Sequence, residues 1–203
     1  MISIVIPVYN SESNIEKLYL ELKKTFELKN IIFECIFVDD GSIDGSWNEI
    51  LNLSKKYLNI FGYSLSKNFG QQNATLLGAR KSNYDLIVTM DDDFQHPPKE
   101  IFKLMEKIDK KTDVVYGVPH EEKRNIFRNF FSILIKIFFK KILKIDHARK
   151  FNSFRLFRRK IIEDLDKFNS SIVDIDALLS WATSNVKSVE LENDLRKKGK
   201  TGY

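Results

Sequence analysis

The sequence predicts an α/β fold, a mostly parallel sheet covered on both faces by helices. Three observations predict it. Through the first 117 residues, short continuous apolar runs alternate with amphipathic runs of helical period. Three of those apolar runs end in polar groups, at Tyr9-Asn10, Asp39-Asp40 and Asp91 to Asp93. The length of 203 residues and the hydrophobic fraction of 43% suit one domain with a sizeable core.

The elements follow in order. Ile2 to Val8 reads as a buried strand entering a loop at Pro7-Val8-Tyr9-Asn10. Ser13 is placed to cap a helix from about Asn14 to Leu28, with Ile15, Leu18, Leu22 and Phe26 on one face. Ile31 to Val38 is a second buried strand, stopped by Asp39-Asp40-Gly41-Ser42. A helix carrying Trp47, Ile50, Leu51 and Leu53 follows, then a strand over Asn59 to Leu65. Gly70 opens a helix through Ala79, and Leu86 to Met90 is a fourth strand. Pro97-Pro98 start a helix with Ile101, Leu104, Met105 and Ile108. Val114 to Tyr116 is a fifth strand.

Composition excludes several classes. One cysteine, Cys35, sits in an apolar run, so no internal disulfide and no cysteine-based metal site is expected. His96, His120 and His147 have no zinc spacing, although His96 lies three residues past Asp93. Met1 to Tyr9 lacks a basic leader and reads as a strand, not a signal peptide. No stretch of 18 uncharged apolar residues exists, so no membrane-spanning segment is expected. The net charge of +5 is uneven. Residues 120–160 hold 13 Lys+Arg against 3 Asp+Glu, and the remainder 20 against 25. The basic stretch looks for an anionic partner.

In parallel sheets ligands bind at the carboxyl ends of the strands, where the polar groups fall. Adjacent carboxylates repel, so the Asp91 to Asp93 triplet reads either as a solvated acidic turn or as a divalent-cation site. Oxygen ligands suit Mg²⁺ or Mn²⁺, which typically take one or two carboxylates plus substrate phosphates. Alternation along an extended segment lets Asp91 and Asp93 share one ion while Asp92 points elsewhere. Asp39 and Asp40 read equally as turn and cap residues, with Gly41 for the turn and Ser42 or Asp44 for the cap, or as acceptors for a nucleotide base or ribose. A nucleotidyltransferase would place a glycine-rich basic loop after the first strand, whereas Pro7-Val8-Tyr9-Asn10-Ser11-Glu12 has neither glycine nor base. No Walker motif is present. A glycosyltransferase needs no such loop, because its metal neutralises the leaving diphosphate.

The motifs Ile4-Val5-Ile6-Pro7-Val8-Tyr9-Asn10, Val38-Asp39-Asp40-Gly41-Ser42, Asn68-Phe69-Gly70, Met90 to Pro97, Ser153-Phe154-Arg155-Leu156 and Arg196-x-x-Gly199-x-Thr201-x-Tyr203 occur in this order. Together they resemble the family-2 inverting glycosyltransferases of the Rossmann-like GT-A fold, and most of all those that act on polyprenyl phosphates. The resemblance spans essentially the whole chain. It implies one GT-A domain over 1–203, with a nucleotide-binding half at 1–117 and an acceptor-side half at 118–203. It implies a nucleotide-sugar donor held by Pro7, Tyr9, Asp39, Asp40, Asn68, Asp91, Asp92 and Gln95. Asp91 and Asp93 would be the metal-binding DxD pair, with Asp93, Ser153 and Arg155 at the reacting centre. Arg155, Arg196 and Lys200 would contact the donor diphosphate or the acceptor phosphate. The implied acceptor is undecaprenyl or dolichyl phosphate, and the implied place is cytoplasmic, peripheral at the inner face of the membrane. A soluble relative that glycosylates a cell-surface glycan is the alternative. Many relatives carry an aspartate where this chain has Ser153, and an arginine shortly after the fifth strand, where this chain reads Gly117-Val118-Pro119-His120.

Ile126 to Ile145, within a helix expected over about 124–145, contains 13 apolar and 7 polar residues. At about 100° per residue, Arg128, Asn129, Ser132, Lys136, Lys140 and Lys144 fall within an arc of roughly 160°, and Lys141 lies outside it. Phe127, Phe130, Phe131, Leu134, Phe138 and Ile142 fill the other side. The pattern reads as a helix lying in a membrane interface or as a core-packed helix with a basic outer face, and the resemblance favours the interface. Nucleic acid is not the expected partner, because the phenylalanines form one greasy face and the aspartate clusters repel phosphates. An oligomer is compatible with everything above.

Overall fold

The computed structural model describes residues 1–119, 153–165 and 174–191. In chain order these form β1 (Ile2–Val8), α1 (Glu12–Glu27), β2 (Phe33–Asp39), α2 (Ser46–Lys56), β3 (Ile60–Ser64), α3 (Gln71–Arg80), β4 (Leu86–Thr89), α4 (Glu100–Lys107), β5 (Val114–Pro119), β6 (Arg155–Arg158), α5 (Arg159–Asp164), α6 (Ile175–Ala182) and β7 (Val186–Leu191). The strands form one seven-stranded sheet in the order β3-β2-β1-β4-β6-β5-β7. β1 pairs in parallel with β2 and β4, β2 with β3, and β5 with β7. β6 is antiparallel to both β4 and β5.

The apolar runs are continuous because both sheet faces are covered. Successive side chains of a strand point to opposite faces. Ile4, Ile6 and Val8 of β1 join a core with Leu18, Leu22 and Phe26 of α1 and Leu104 of α4. Val5 joins the opposite core with Ala74 of α3, Ile161 of α5 and Leu178 of α6. Each fully buried Ile, Leu or Phe contributes about 1.5–3 kcal/mol over its exposed state. Cys35 is buried and free, the small hydrophobe that its surroundings predict.

Two expectations change. α1 starts at Glu12, so Ser13 lies inside the first turn and its hydroxyl bonds only Asn14 Oδ1, at 3.3 Å. The free N–H groups at this helix start are taken by the loop after β2. Ser11 N–H donates to Ser46 Oγ at 2.9 Å, and Glu12 N–H donates to Asp44 Oδ2 at 3.2 Å. A cap from a distant loop does the work of a local one, and it also ties β1's exit to β2's exit. Second, the fifth strand runs on to Pro119 instead of ending at Tyr116, and it does not lie beside β4. The four-residue β6 separates them.

Candidate active site

The exits of β1, β2 and β4 lie side by side, because these three strands are parallel neighbours. At β2's exit both carboxylates are buried and bonded within the chain. Asp39 Oδ1 accepts from Ser42 N–H at 3.3 Å and Oδ2 from Ser64 Oγ at 3.2 Å. Asp40 accepts from Phe69 N–H at 2.7 Å and from Gly70 N–H at 2.9 Å. Gly41, at φ +71°, is required here. A Cβ on it would stand 2.6 Å from the Lys67 carbonyl carbon and 2.7 Å from Asn68 N. Asp40 therefore clasps the Asn68-Phe69-Gly70 loop, which delivers the start of α3 to the site. Asn68 Oδ1 accepts from Gly70 N–H at 3.0 Å, on an exposed loop. The turn-and-cap reading of Asp39 and Asp40 holds for these hydrogen bonds. Neither expected cap residue stands at the cap of α2, which is Gly45: Asp44, one position earlier, accepts from Ser46 N–H at 2.9 Å, and Ser42 Oγ accepts from Asn10 N–H at 2.9 Å.

At β4's exit the environment differs. Asp91 Oδ1 accepts from Gln71 Nε2 at 2.5 Å and Oδ2 from the Ser153 hydroxyl at 2.6 Å. Asp93 accepts from the Gln95 N–H at 3.0 Å and from the Gln95 side-chain amide. Asp92 shares neither set of partners, and its buried Oδ2 has no hydrogen-bond partner. Burial raises the Asp91 carboxyl above its usual range, and the neighbouring Asp93 charge adds to this. Burial pushes Asp92 up to about 6, against an opposing hydrogen bond from Ser11. Phe94 takes φ +60°, a left-handed conformation that is strained for a bulky side chain, and it turns the chain immediately after the triplet. His96 stacks on Phe154 with ring centroids 4.7 Å apart, and burial lowers its pKa.

A small cleft is lined by Pro7, Gln71, Gln72, Asp91, Ser153 and Arg155, with Thr89 and Met90 at its base. Ser153 reaches it because Thr89 Oγ1 donates to the Ser153 carbonyl at 2.5 Å, just before β6 pairs with β4. Arg155, 2% exposed, pairs through Nη1 with Asp176 of α6. The structure thus gathers Pro7, Asp91, Ser153 and Arg155 from the expected residues. Tyr9 is partly buried in the loop leaving β1. Arg196, Lys200 and Ile126–Ile145 lie outside the described residues. Gln71, Gln72, Tyr116 and Asp176 were not anticipated. The Gly70-Gln71-Gln72 run, two amides at a helix start beside an expected strand exit, was the readable signal for the first two.

The donor set fits a divalent cation. Among the described residues no three His, Cys, Asp or Glu side chains converge on one point. Among the described residues, Asp91 and Asp93 are the two carboxylates that the exit of β4 offers to an ion. That suits an ion completing its shell with phosphate oxygens and water. A cation would also relieve the burial and mutual repulsion that raise Asp91.

This sheet order, with carboxylates at the exit of β4, defines a GT-A type glycosyltransferase fold. The chain belongs to glycosyl transferase family 2, whose family model matches residues 3–166. It is 31% identical over 205 residues to the uncharacterized glycosyltransferase YkcC of Bacillus subtilis, covering 99% of this chain and 62% of that protein. It is 28% identical over 207 residues to undecaprenyl-phosphate 4-deoxy-4-formamido-L-arabinose transferase of Shewanella sediminis, covering 100% of this chain and 61% of that protein. The chain thus spans about three fifths of the length of these curated relatives. The crystal structure of glucosyl-3-phosphoglycerate synthase from Mycobacterium tuberculosis, in complex with Mn²⁺, UDP and glucosyl-3-phosphoglycerate, matches with a TM-score of 0.69. That match has 14% sequence identity and covers 98% of this chain and 73% of the other.

Proposed function

We propose that the chain is the catalytic part of an inverting glycosyltransferase that moves a sugar from a nucleotide-sugar donor to an undecaprenyl or dolichyl phosphate at the membrane surface. The observation that carries this reading is the Asp91–Asp93 pair at the exit of β4, with Asp91 bonded to Ser153 in the cleft that Arg155 lines, in a family-2 chain. The Shewanella sediminis relative, named for undecaprenyl phosphate, supports the acceptor class.

Asp91 and Asp93 would hold Mg²⁺ or Mn²⁺, and the Mn²⁺ in the Mycobacterium tuberculosis structure supports a divalent cation. When bound, such a cation supplies charge neutralisation for the leaving diphosphate. Gln71 and Gln95 keep the two carboxylates oriented. Pro7, Tyr9, Asp39, Asp40 and Asn68 form the donor side, with Asp92 and Gln95 flanking the metal pair. Arg155, Arg196 and Lys200 hold the anionic groups in line. An acceptor phosphate oxygen bonds to the anomeric carbon as the bond from that carbon to the nucleotide diphosphate breaks, which inverts the centre. A phosphate with a second pKa near 6 is already largely dianionic at neutral pH and needs no general base. Ser153 agrees with this chemistry, since its hydroxyl donates to Asp91 and does not stand ready as a base.

No helix among the described residues is long and apolar enough to cross a membrane. The apolar arc of Ile126–Ile145 supports a peripheral contact at the cytoplasmic face. The test is transfer from UDP-, GDP- and dTDP-sugars, with and without Mn²⁺, to polyprenyl phosphate in detergent and to lipid-free glycans. Metal-dependent transfer to the lipid alone is expected. Equal transfer to a glycan without lipid would overturn the acceptor assignment. Lys136, Lys140 and Lys144 changed together to Glu should release the protein from anionic liposomes.

A further inference from the structure

Arg155 is buried in the cleft wall, yet its guanidinium is only partly satisfied. Nη1 pairs with Asp176 Oδ1, and the buried Nε has no hydrogen-bond partner among the described residues. The same Asp176 oxygen accepts from the Tyr116 hydroxyl at 2.9 Å. Tyr116 is 1% exposed, and burial beside Asp176 holds its hydroxyl far above the usual range, so it remains a proton donor. The carboxylate is itself fixed. It sits in the first turn of α6, where Asp174 accepts from Asp176 N–H at 2.9 Å and from Ala177 N–H at 3.0 Å. The helix start is tied to the cleft because Ile175 N–H donates to Gln72 Oε1 at 3.3 Å.

Burying an ion pair costs desolvation that mutual attraction offsets only with good geometry, so such a pair is weak support for stability alone. A guanidinium is a rigid planar fork, and fixing one arm fixes the direction of the others. Asp176 takes one arm, Tyr116 fixes the carboxylate that takes it, and Nε is left without an acceptor. Arg155 lines the cleft and acts electrostatically on Asp91, so a phosphate oxygen bound there meets a guanidinium whose direction Asp176 has set.

We infer that Asp176 and Tyr116 are positioning residues that hold the Arg155 guanidinium in the cleft wall, directed toward a phosphate or diphosphate oxygen bound there. The ligand class rests on the glycosyltransferase reading, but the positioning does not. Two readouts separate them. In the ligand-free protein, nitrogen-15 NMR of arginine side chains should show one slowly exchanging Nε–H, lost in Arg155→Lys. In Tyr116→Phe, which keeps the buried ring, and in Asp176→Asn, that proton should exchange at least about tenfold faster while melting remains cooperative. Unchanged exchange in both variants would overturn the positioning role. In the second readout, inorganic diphosphate with Mn²⁺ is titrated into each protein. Binding should weaken roughly tenfold in Tyr116→Phe, and Arg155→Gln should lose it. Wild-type binding in Arg155→Gln would overturn the anion assignment. Tight diphosphate binding together with no sugar transfer to any acceptor would overturn the functional reading and leave this one standing.

Discussion

The exits of β2 and β4 look alike in sequence, each an apolar strand running into consecutive aspartates. In the folded chain they differ. Asp39 and Asp40 each take two hydrogen bonds from neighbouring loops, and those bonds build the turn. At β4 the partners of Asp91 are mainly side chains, an amide and a hydroxyl, and one Asp92 oxygen has none. Asp40, held by two backbone N–H groups, is scaffold. Carboxylates that burial disfavours, held by side chains that can turn, are poised for a cation. The difference lies in what surrounds each group, which no count of aspartates records.

The largest effect should come from Asp93→Ala. Turnover and metal-dependent nucleotide binding should fall by a factor of about 100 or more, with the melting temperature nearly unchanged. Full activity in that variant would erase the contrast. Asp40→Ala should do the reverse. It strands the Phe69 and Gly70 N–H groups and should cost about 2–3 kcal/mol in denaturant unfolding. Activity per folded molecule should be less affected than in Asp93→Ala.

Asp92→Asn sharpens the comparison through pH. Burial holds the folded-state pKa of Asp92 at about 6, above the ordinary carboxyl value of 3.8. The native state therefore binds more protons than the unfolded state between those values. Metal-free stability should fall as pH rises from about 4 to about 6, by on the order of 2 kcal/mol. Unfolding followed across that window should show the slope in the wild type and little of it in Asp92→Asn. The variant should also be the more stable at pH 7 and retain most turnover. The smallest effect belongs to Ser153→Ala, which removes one donor to Asp91 and should keep activity within roughly tenfold. A loss of about 100-fold with unchanged acceptor binding would place the serine in the chemistry.

Strands β1 and β2 were legible because both their faces are covered, and a run such as Ile2 to Val8 is buried throughout and apolar but for Ser3. β6 was not, because Arg155 and Arg158 bracket only Leu156 and Phe157, and four residues carry too little pattern. The resemblance marks its arginine as a phosphate contact, but local pattern cannot show that Asp176, 21 residues away, pairs with it. The Ser13 cap failed for a similar reason. Local spacing cannot show that a loop 30 residues on will reach the same N–H groups. The Asp91–Asp93 pair was legible because the strand ends directly before it. Gln71 was not, because its partner lies 20 residues away on another element.

The order of the sheet has a consequence for synthesis. β4 and β5 leave the ribosome before the strand that joins them, and β6 follows 36 residues after Pro119. Until Arg155–Arg158 emerges, the nascent chain holds β4 with one open edge and β5 with no place beside it. Open strand edges invite pairing with other chains, so the interval is one of exposure to misassembly. During that interval Asp91 also lacks Ser153 and Arg155. The half-made protein therefore has its acidic turn before it has the serine and the arginine that complete the cleft, and a chain stopped before β6 would carry the motif without the site.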